Sequence, residues 1–559
     1  MNSVKYKYPK KIPIKKRSWP DAEIKKSPTW CSVDLRDGNQ ALPIPMTPER
    51  KLSYFKMLCQ IGFKEIEVGF PSASQDDFDF VRFLIEKEKI PSDVRISVLT
   101  QAREHLIART VESLKGAKNA ILHCYVAASD LHAQLVFNKN RKEVMQMSVE
   151  GTELINKYLS AEKLTSTISY EFSPEEFTDS DLDFVVELCE AVRNTWRKSS
   201  KRDFILNLPA TVERRPPYQY ADMIEYFISK YKYGKDTVIS VHAHNDQGCA
   251  VAATEMTLLA GSTRVEGTLF GHGERTGNVD LVTLSLNLHS RGINTGLDFS
   301  RMNSIIRTVE DASYIPVHPR HPYAGSLVFT AFSGSHQDAI RKGLGQKNKA
   351  TKMFGSVWKV PYLHIDPADI GRKYEKIIRI NSQSGKGGAV FVLENDFGYR
   401  PPKAMHPEIG MVVQKLADKE KKEIGAEKVL SEFKRIFFNI EVPLKMKKFS
   451  TSSSKKPHHV KAKIEVLLNG KPMVIESEGN GPISAAAHAI MDIKGVFSFT
   501  IEDFAEQSLG RTAEATAIAY VAIRREKDKK IFYGAGEHSN IEYAALLALF
   551  SAVNRGWKK

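Results

Sequence analysis

Two histidines set one residue apart close an apolar run in the segment TVISVHAHNDQG, Thr237 to Gly248. Side chains on a β-strand alternate faces with a period of two, so His242 and His244 share a face. Two neutral imidazoles converging from one strand end supply half of a divalent-metal site, which carboxylate or amide oxygens from elsewhere would complete. The same spacing also suits two ordinary strand histidines, so the surrounding pattern has to decide.

The elements that would position them show as an alternation. From Trp30 onward, β-rich runs alternate with longer amphipathic ones, the pattern of parallel strands joined by helices. Eight runs read as strands: WCSVDL (30–35), EIEVGF (65–70), RISVLT (95–100), AILHCYV (120–126), STISYEF (166–172), FILNLPA (204–210), TVISVHA (237–243) and RVEGTLF (264–270). Between the first two, TPERKLSYFKMLCQIG carries helix signals: Thr47 as cap, Pro48 in the first turn and Gly62 at the end. Eight units over about 260 residues predict a closed TIM (β/α)8 barrel rather than an open sheet, with the chemistry at the C-terminal ends of the strands. The polar residues gather there. Strand one runs into DLRDGNQ (34–40), strand four carries His123 and Tyr125, and strand five leads to FSPEE (172–176). Strand six leads to NLPAT (207–211), strand seven to HAHND and strand eight to GHGERTGN (271–278). That concentration favours a site over a structural histidine pair.

Strands one, seven and eight meet over one sector of a closed barrel, which brings Asp37 and Asn278 to His242 and His244. One carboxylate, two imidazoles and one amide leave coordination positions open for a bidentate ligand such as a 2-oxo acid, whose ketone the ion would polarise as a Lewis acid. Mg2+, Mn2+ and Zn2+ all suit these donors. Arg36, beside Asp37, offers a rigid donor fork for a carboxylate or a developing alkoxide.

A chain of 559 residues is too long for one core, so two to four domains are expected. No apolar run reaches the roughly 18 residues of a membrane span. The five cysteines, Cys31, Cys59, Cys124, Cys189 and Cys249, are odd in number and scattered, which fits a reducing, cytoplasmic setting better than disulfides or a cysteine metal site. The net charge of +15 comes without a nucleic-acid-binding signature, so neither nucleic acid nor membrane is an expected partner, and the basic surface would favour an anionic cofactor such as coenzyme A. Part of the charge lies in a proline-punctuated arm over 1–29 and part in KMKKFSTSSSKKPHHVKAK, read as an interdomain linker around residue 450.

Several motifs together narrow the reading: DLRDGNQAL, VGFPSASQDDFDF, HAHNDQG, GERTGN, RHPYAGSLVFTAFSGSHQDAI, VPYLHIDPADIGRKYE and NSQSGKGG. The chain resembles the 2-isopropylmalate synthases, in their longer form, over nearly its whole length. The resemblance implies condensation of acetyl-CoA with 3-methyl-2-oxobutanoate to 2-isopropylmalate and CoA, the first committed step of leucine biosynthesis. It makes Asp37, His242, His244 and Asn278 the metal ligands and sets Arg36 on the reacting end of the oxo acid. Leu99, His123, Ser173, Glu175 and Thr211 match positions lining the oxo-acid pocket, Tyr125 lies beside them, and Glu274 stands near the reacting groups. His336 is implied as general base, supplied with Tyr362 by the partner of a homodimer, and Glu175 remains a rival base. Mg2+ is the expected metal, K+ a candidate activator and leucine the expected feedback effector.

The expected organisation is a barrel over 30–325, helical linker subdomains over 326–440 and a C-terminal α/β regulatory domain over 441–559. That last domain reads as two copies of a strand–strand–helix unit. The glycine turn SQSGKGG (382–388) lacks the phosphate-loop pattern and is expected near the dimer contact. The chain departs from the family at Val126 and His272, which leaves a sister transferase forming homocitrate, citramalate or another alkylmalate as the nearest alternative. A lyase acting on a hydroxyacyl-CoA with the same metal site, and a barrel binding nucleic acid, stand further off.

Overall fold

The strand–helix alternation closes on itself. In the computed structural model, which describes residues 5, 7–331, 333–374, 387–395, 397–420, 424–454, 457–509 and 516–557, eight parallel strands form a barrel in simple sequence order. They are β1 (Thr29–Ser32), β2 (Glu65–Gly69), β3 (Arg95–Gln101), β4 (Ala120–Ala127), β5 (Ile168–Glu175), β6 (Phe204–Ala210), β7 (Val238–Ala243) and β8 (Arg264–Gly267). Closure is direct: β1 pairs with β8 in parallel, with Trp30 opposite Val265 and Cys31 opposite Glu266. Each strand is packed on both faces, which is why they read as nearly continuous apolar runs. The first helix, Pro48–Ile61, starts and stops as its sequence signals dictate: Thr47 accepts from the Arg50 amide and Gly62 takes the left-handed conformation at φ 114°.

Three strand ends differ from the expected ones, and each difference shapes the site. β1 stops at Ser32 because Asp34–Gly38 winds into one π-helical turn. β8 stops at Gly267, where a short 3-10 turn over Leu269–Gly271 takes over. β5 runs on to Glu175, so Ser173 and Glu175 belong to the strand itself and not to a following loop. The basic arm is fixed at its end: Arg17 forms a two-pronged pair with Asp222 at 2.7 and 2.8 Å, and the Trp19 indole donates to the same carboxylate at 2.9 Å.

The chain divides into two compact units, 1–329 with 363–374 and 330–362 with 375–559, so the 326–440 segment contributes to both. In the second unit, β9 (Leu444–Ser453), β10 (Val460–Leu468) and β11 (Lys471–Gly479) form an antiparallel sheet covered by the helix Pro482–Met491. β12 (Phe499–Leu509), β13 (Thr516–Arg525) and β14 (Ile531–His538), with the helix Ile541–Trp557, repeat that arrangement. The repeat is therefore three strands and a helix, not two strands and a helix. The Lys/Ser-rich segment around residue 450 is likewise the edge strand β9 rather than a linker, and its lysines face solvent as edge strands require. In the second repeat the helix lies directly against β14. A Cβ on Gly534 would sit 2.2 Å from the Ala548 carbonyl oxygen, and one on Gly536 would sit 2.1 Å from that of Ala544. The glycine turn expected at 382–388 falls mostly outside the described residues, and Gly387–Asn395 is helical.

Candidate active site

The π-helical turn after β1 brings Arg36 and Asp37 over the barrel mouth. Asp34 anchors that turn, accepting from the Ser32 hydroxyl (2.7 Å), the Tyr54 hydroxyl (2.8 Å) and the Leu269 amide beyond β8 (3.0 Å). Burial pushes the Asp34 carboxyl up to about 7 against these three donors. A short backbone bridge pairs His244 with Asn278, so the loops after β7 and β8 arrive together.

The four residues read as a metal cage converge. The Nε2 atoms of His242 and His244 lie 3.5 and 3.8 Å from Asp37 Oδ2, and the Asn278 side-chain amide donates to that oxygen at 2.8 Å. Ligand atoms of Asp37, His242 and His244 all lie within 4.8 Å of one another, and all three residues are buried. Two buried polar atoms here, His244 Nδ1 and Asn278 Oδ1, have no hydrogen-bond partner. Burial alone would raise the Asp37 carboxyl, but Arg36 and the two imidazoles outweigh it and hold it well below the usual range. Burial would lower His242, yet its hydrogen bonds to the Asp37 and Glu266 carboxylates carry it up to about 9; burial and the neighbouring His242 charge push His244 down to about 3. A buried carboxylate, two imidazoles whose Nε2 atoms face it and an unpartnered amide oxygen together suit a divalent cation.

Around the cage lies a cavity of about 240 Å3, lined by Arg36, Leu99, His123, Tyr125, Ser173, Glu175, Thr211 and Glu274 among others. Strand register places several of these side by side: Leu99 opposite His123, and Tyr125 opposite Ser173. His123 bridges Glu67 and Ser173, at 2.7 Å on each ring nitrogen. Burial raises the Glu175 carboxyl above its ordinary value. Thr211 accepts from the Glu176 amide at 2.8 Å, and Glu274 meets Gln40 at 3.4 Å. His336 and Tyr362 belong to the second unit, both exposed, with their rings stacked at 4.1 Å.

The structure adds residues that the motifs did not single out. Glu67 receives Arg36 Nε at 2.5 Å as well as His123, and Glu266 meets His242 Nδ1 at 3.0 Å, fixing which ring nitrogen faces Asp37. Arg264, fully buried, joins Glu65, Glu171 and Glu266 beneath the cage at 2.6 to 2.9 Å. The clustered His123, Glu171 and Glu266 therefore already have a cation among them in the Arg264 guanidinium. The signal was present in EIEVGF, where two glutamates fall on one face of a strand that is otherwise apolar. Gln40, Phe70, Asn207 and Arg275 also line the cavity. Val126 and His272 do not: Val126 faces a neighbouring groove, and His272 is packed near Asp280 and His321 while its carbonyl accepts from Asn278.

Comparison with known proteins agrees with this geometry. The HMGL-like family profile matches residues 27–309, the profile described as alpha-isopropylmalate synthase, post-catalytic domain-like, matches 326–394, and the LeuA allosteric (dimerisation) domain matches 423–557. The chain is 47% identical to the 2-isopropylmalate synthase of Clostridium acetobutylicum over 98% of both chains. It is 48% identical to that of Thermobifida fusca, over 98% of this chain and 96% of the other. Against the enzyme of Schizosaccharomyces pombe it is 46% identical, over 99% and 96% respectively.

Proposed function

The chain belongs to the 2-isopropylmalate synthases, and from that premise we propose that it joins the acetyl group of acetyl-CoA to 3-methyl-2-oxobutanoate, and that water then hydrolyses the resulting thioester to give 2-isopropylmalate and free CoA. The observation that carries this reading is the convergence of Asp37, His242 and His244 in a cavity that Arg36, His123 and Glu175 also line. Held by those three residues and Asn278, a divalent ion, Mg2+ in our reading, supplies Lewis-acid polarisation of the oxo acid's ketone.

The other roles fall to the chain's own residues. Arg36 is fixed between Asp37 (3.1 Å) and Glu67, so its remaining N–H groups hold the oxo acid's oxygen and stabilise the negative charge that grows there. Glu67 and Ser173 hold the His123 ring in one orientation on the cavity wall, where its face and the Ser173 hydroxyl bound the space for the oxo acid. Leu99 and Tyr125 shape the space for its branched side chain, and Thr211 and Glu274 close the rim. A thioester methyl is a weak carbon acid, so a base must take its proton as the new carbon–carbon bond forms. His336, delivered with Tyr362 from the second subunit of a homodimer, takes that role in our reading, and Glu175, already inside the cavity, is its rival. Arg275, tied to Asp246 at 2.7 Å and to the Thr211 carbonyl at 2.7 Å, keeps the loop after β8 over the mouth.

The two sheet–helix repeats of the second unit bind leucine, which inhibits the reaction at a distance, and K+ serves as an activator. The free cysteines suit a cytoplasmic setting. The test is a screen of 2-oxo acids for acetyl-CoA-dependent thiol release, with and without leucine and EDTA. A preference for 3-methyl-2-oxobutanoate is expected. Preference for pyruvate or 2-oxoglutarate would make the protein a citramalate or homocitrate synthase instead.

A further inference from the structure

We propose that one water molecule enclosed beside His244 joins its Nδ1–H to the carboxylate of Glu213, which makes Glu213 the positioning residue for that ring. The inference rests on the reading of His244 as a metal ligand. An imidazole that turns its Nε2 lone pair to an ion carries its proton on Nδ1, and the group that receives that proton fixes the ring. For His242 that group is Glu266, at 3.0 Å. His244 also turns Nε2 towards Asp37, at 3.8 Å, yet its buried Nδ1 has no hydrogen-bond partner among the described residues.

A second, small cavity with His244 in its wall supplies the link. Glu213, Thr178, Ala210, Tyr220 and Ala253 are among the other residues that line it, and it encloses about 10 Å3. A single water needs roughly 10–15 Å3 and typically makes about three hydrogen bonds. Three of the lining side chains carry a buried polar atom without a partner among the described residues: His244 Nδ1, Glu213 Oε1 and Thr178 Oγ1. Size and chemistry therefore agree. The water accepts from His244 Nδ1–H, donates one hydrogen to the Glu213 carboxylate and completes its set with the Thr178 hydroxyl. A larger occupant has no room, and an N–H, a carboxylate oxygen and a hydroxyl left dry and unpaired around one space would be unfavourable.

Glu213 is held where this role needs it. The residue is 5% exposed. Its Oε2 accepts from the Gln247 amide at 2.5 Å and the Cys249 amide at 3.3 Å, and its own amide donates to Asp246 at 2.9 Å. These bonds stitch the segment after β6 to the loop after β7, as does the bond from the His244 amide to the Ala210 carbonyl at 3.2 Å. With Oε2 taken by two backbone donors, Oε1 is the oxygen left for the cavity. Arg215 secures the third corner, its Nε–H donating to the Thr178 carbonyl at 2.6 Å.

Two variants of the full-length protein separate this role from one of merely holding the loop. In Glu213→Gln the single oxygen is claimed by the Gln247 and Cys249 amides, so an NH2 group faces the cavity and the water loses its acceptor. Ala253→Val leaves those bonds in place and fills the space of the water. Thermal unfolding of the metal-free proteins verifies that each is folded. Mn2+ affinity, measured by calorimetry on chelator-treated protein, should fall about tenfold in each variant, and the visible d–d bands of the Co2+-loaded protein should shift in both. A role confined to holding the 247–249 loop predicts parent affinity and parent spectrum in Ala253→Val; that result in the folded variant would overturn the assignment, as would parent affinity in folded Glu213→Gln. A high-resolution crystal structure of the metal-free parent reads the bridge without any ion. Density for a water within hydrogen-bond distance of His244 Nδ1 and Glu213 Oε1 is expected, and a dry cavity or a different partner on Nδ1 would overturn the bridge. If that water is present yet the parent binds no Mn2+, the bridge stands and the metal reading falls.

Discussion

Glu266→Gln is the substitution that probes most finely how the barrel interior sets the cage above it. The Glu266 carboxylate is fully buried. One oxygen accepts from Arg264 Nη1 at 2.9 Å; the other accepts from the Asn207 amide at 2.9 Å and faces His242 Nδ1 at 3.0 Å. Glutamine keeps the shape but can accept on only one side, so its NH2 group must confront either Arg264 or the Asn207–His242 pair. A lost hydrogen bond to a charged group costs about 1.5–3 kcal/mol. Arg264 retains Glu65, Glu171 and Ser240; if the glutamine oxygen turns to the guanidinium, His242 loses its acceptor, and if it stays with His242 the ring keeps only a neutral acceptor, so in both cases the ring that faces Asp37 is held less firmly. Losing such an outer partner typically lowers metal affinity about 10- to 100-fold, or about 1.4–2.7 kcal/mol. Isothermal titration of Mn2+ into chelator-treated protein measures this directly, with thermal unfolding run in parallel. An affinity within about threefold of the parent, a difference under about 0.7 kcal/mol, would refute the idea that Glu266 orients the cage.

Other outcomes follow from the same geometry. With Glu175 as base, kcat must rise with pH as its carboxyl, held above the ordinary glutamate value by burial, gives up its proton; the acidic limb should then vanish in Glu175→Gln, whereas its persistence there and disappearance in His336→Gln would assign the base to His336. Arg36→Lys keeps the charge but loses the fork between Asp37 and Glu67, and a fall in kcat/KM of about 100-fold is expected in steady-state assays. Gly536→Val places side-chain atoms against the 541–557 helix and should destabilise the second unit by about 1–3 kcal/mol in denaturant titration, leaving metal binding unchanged. Leucine should raise the unfolding temperature and lower kcat in the parent, and Gly536→Val should lose both responses.

Much of the barrel was legible because its signals are local and repeated. Apolar runs with period-matched helices between them fix eight strands, and the polar residues at their C-terminal ends mark the mouth. The HxH pair could be read as converging because a strand's period of two is rigid, and Asp37 and Asn278 followed from closure alone. The strand ends were less legible: WCSVDL reads as strand through Leu35, yet β1 stops at Ser32 and the bond between the Asp34 carboxylate and the Leu269 amide holds 34–38 in a π-helical turn. The buried charges under the cage were hidden by their partners' distance in sequence; Arg264 meets a glutamate 199 residues away, a pairing that no local pattern announces. In the second unit the two missed strands, β9 and β12, are both sheet edges whose lysines and acids face solvent, so they read as loop and linker. His336 and Tyr362 came from motif resemblance and not from any physical signal, since an exposed helix histidine looks like any other.

Thiol release from acetyl-CoA on addition of 3-methyl-2-oxobutanoate, measured before and after a divalent ion is returned to chelator-stripped protein, tests the account at its centre. Turnover should all but disappear on stripping and return with Mg2+ or Mn2+ in the parent, and should fail to return in Asp37→Asn. Undiminished turnover in the stripped protein, or equal recovery in Asp37→Asn, would contradict it.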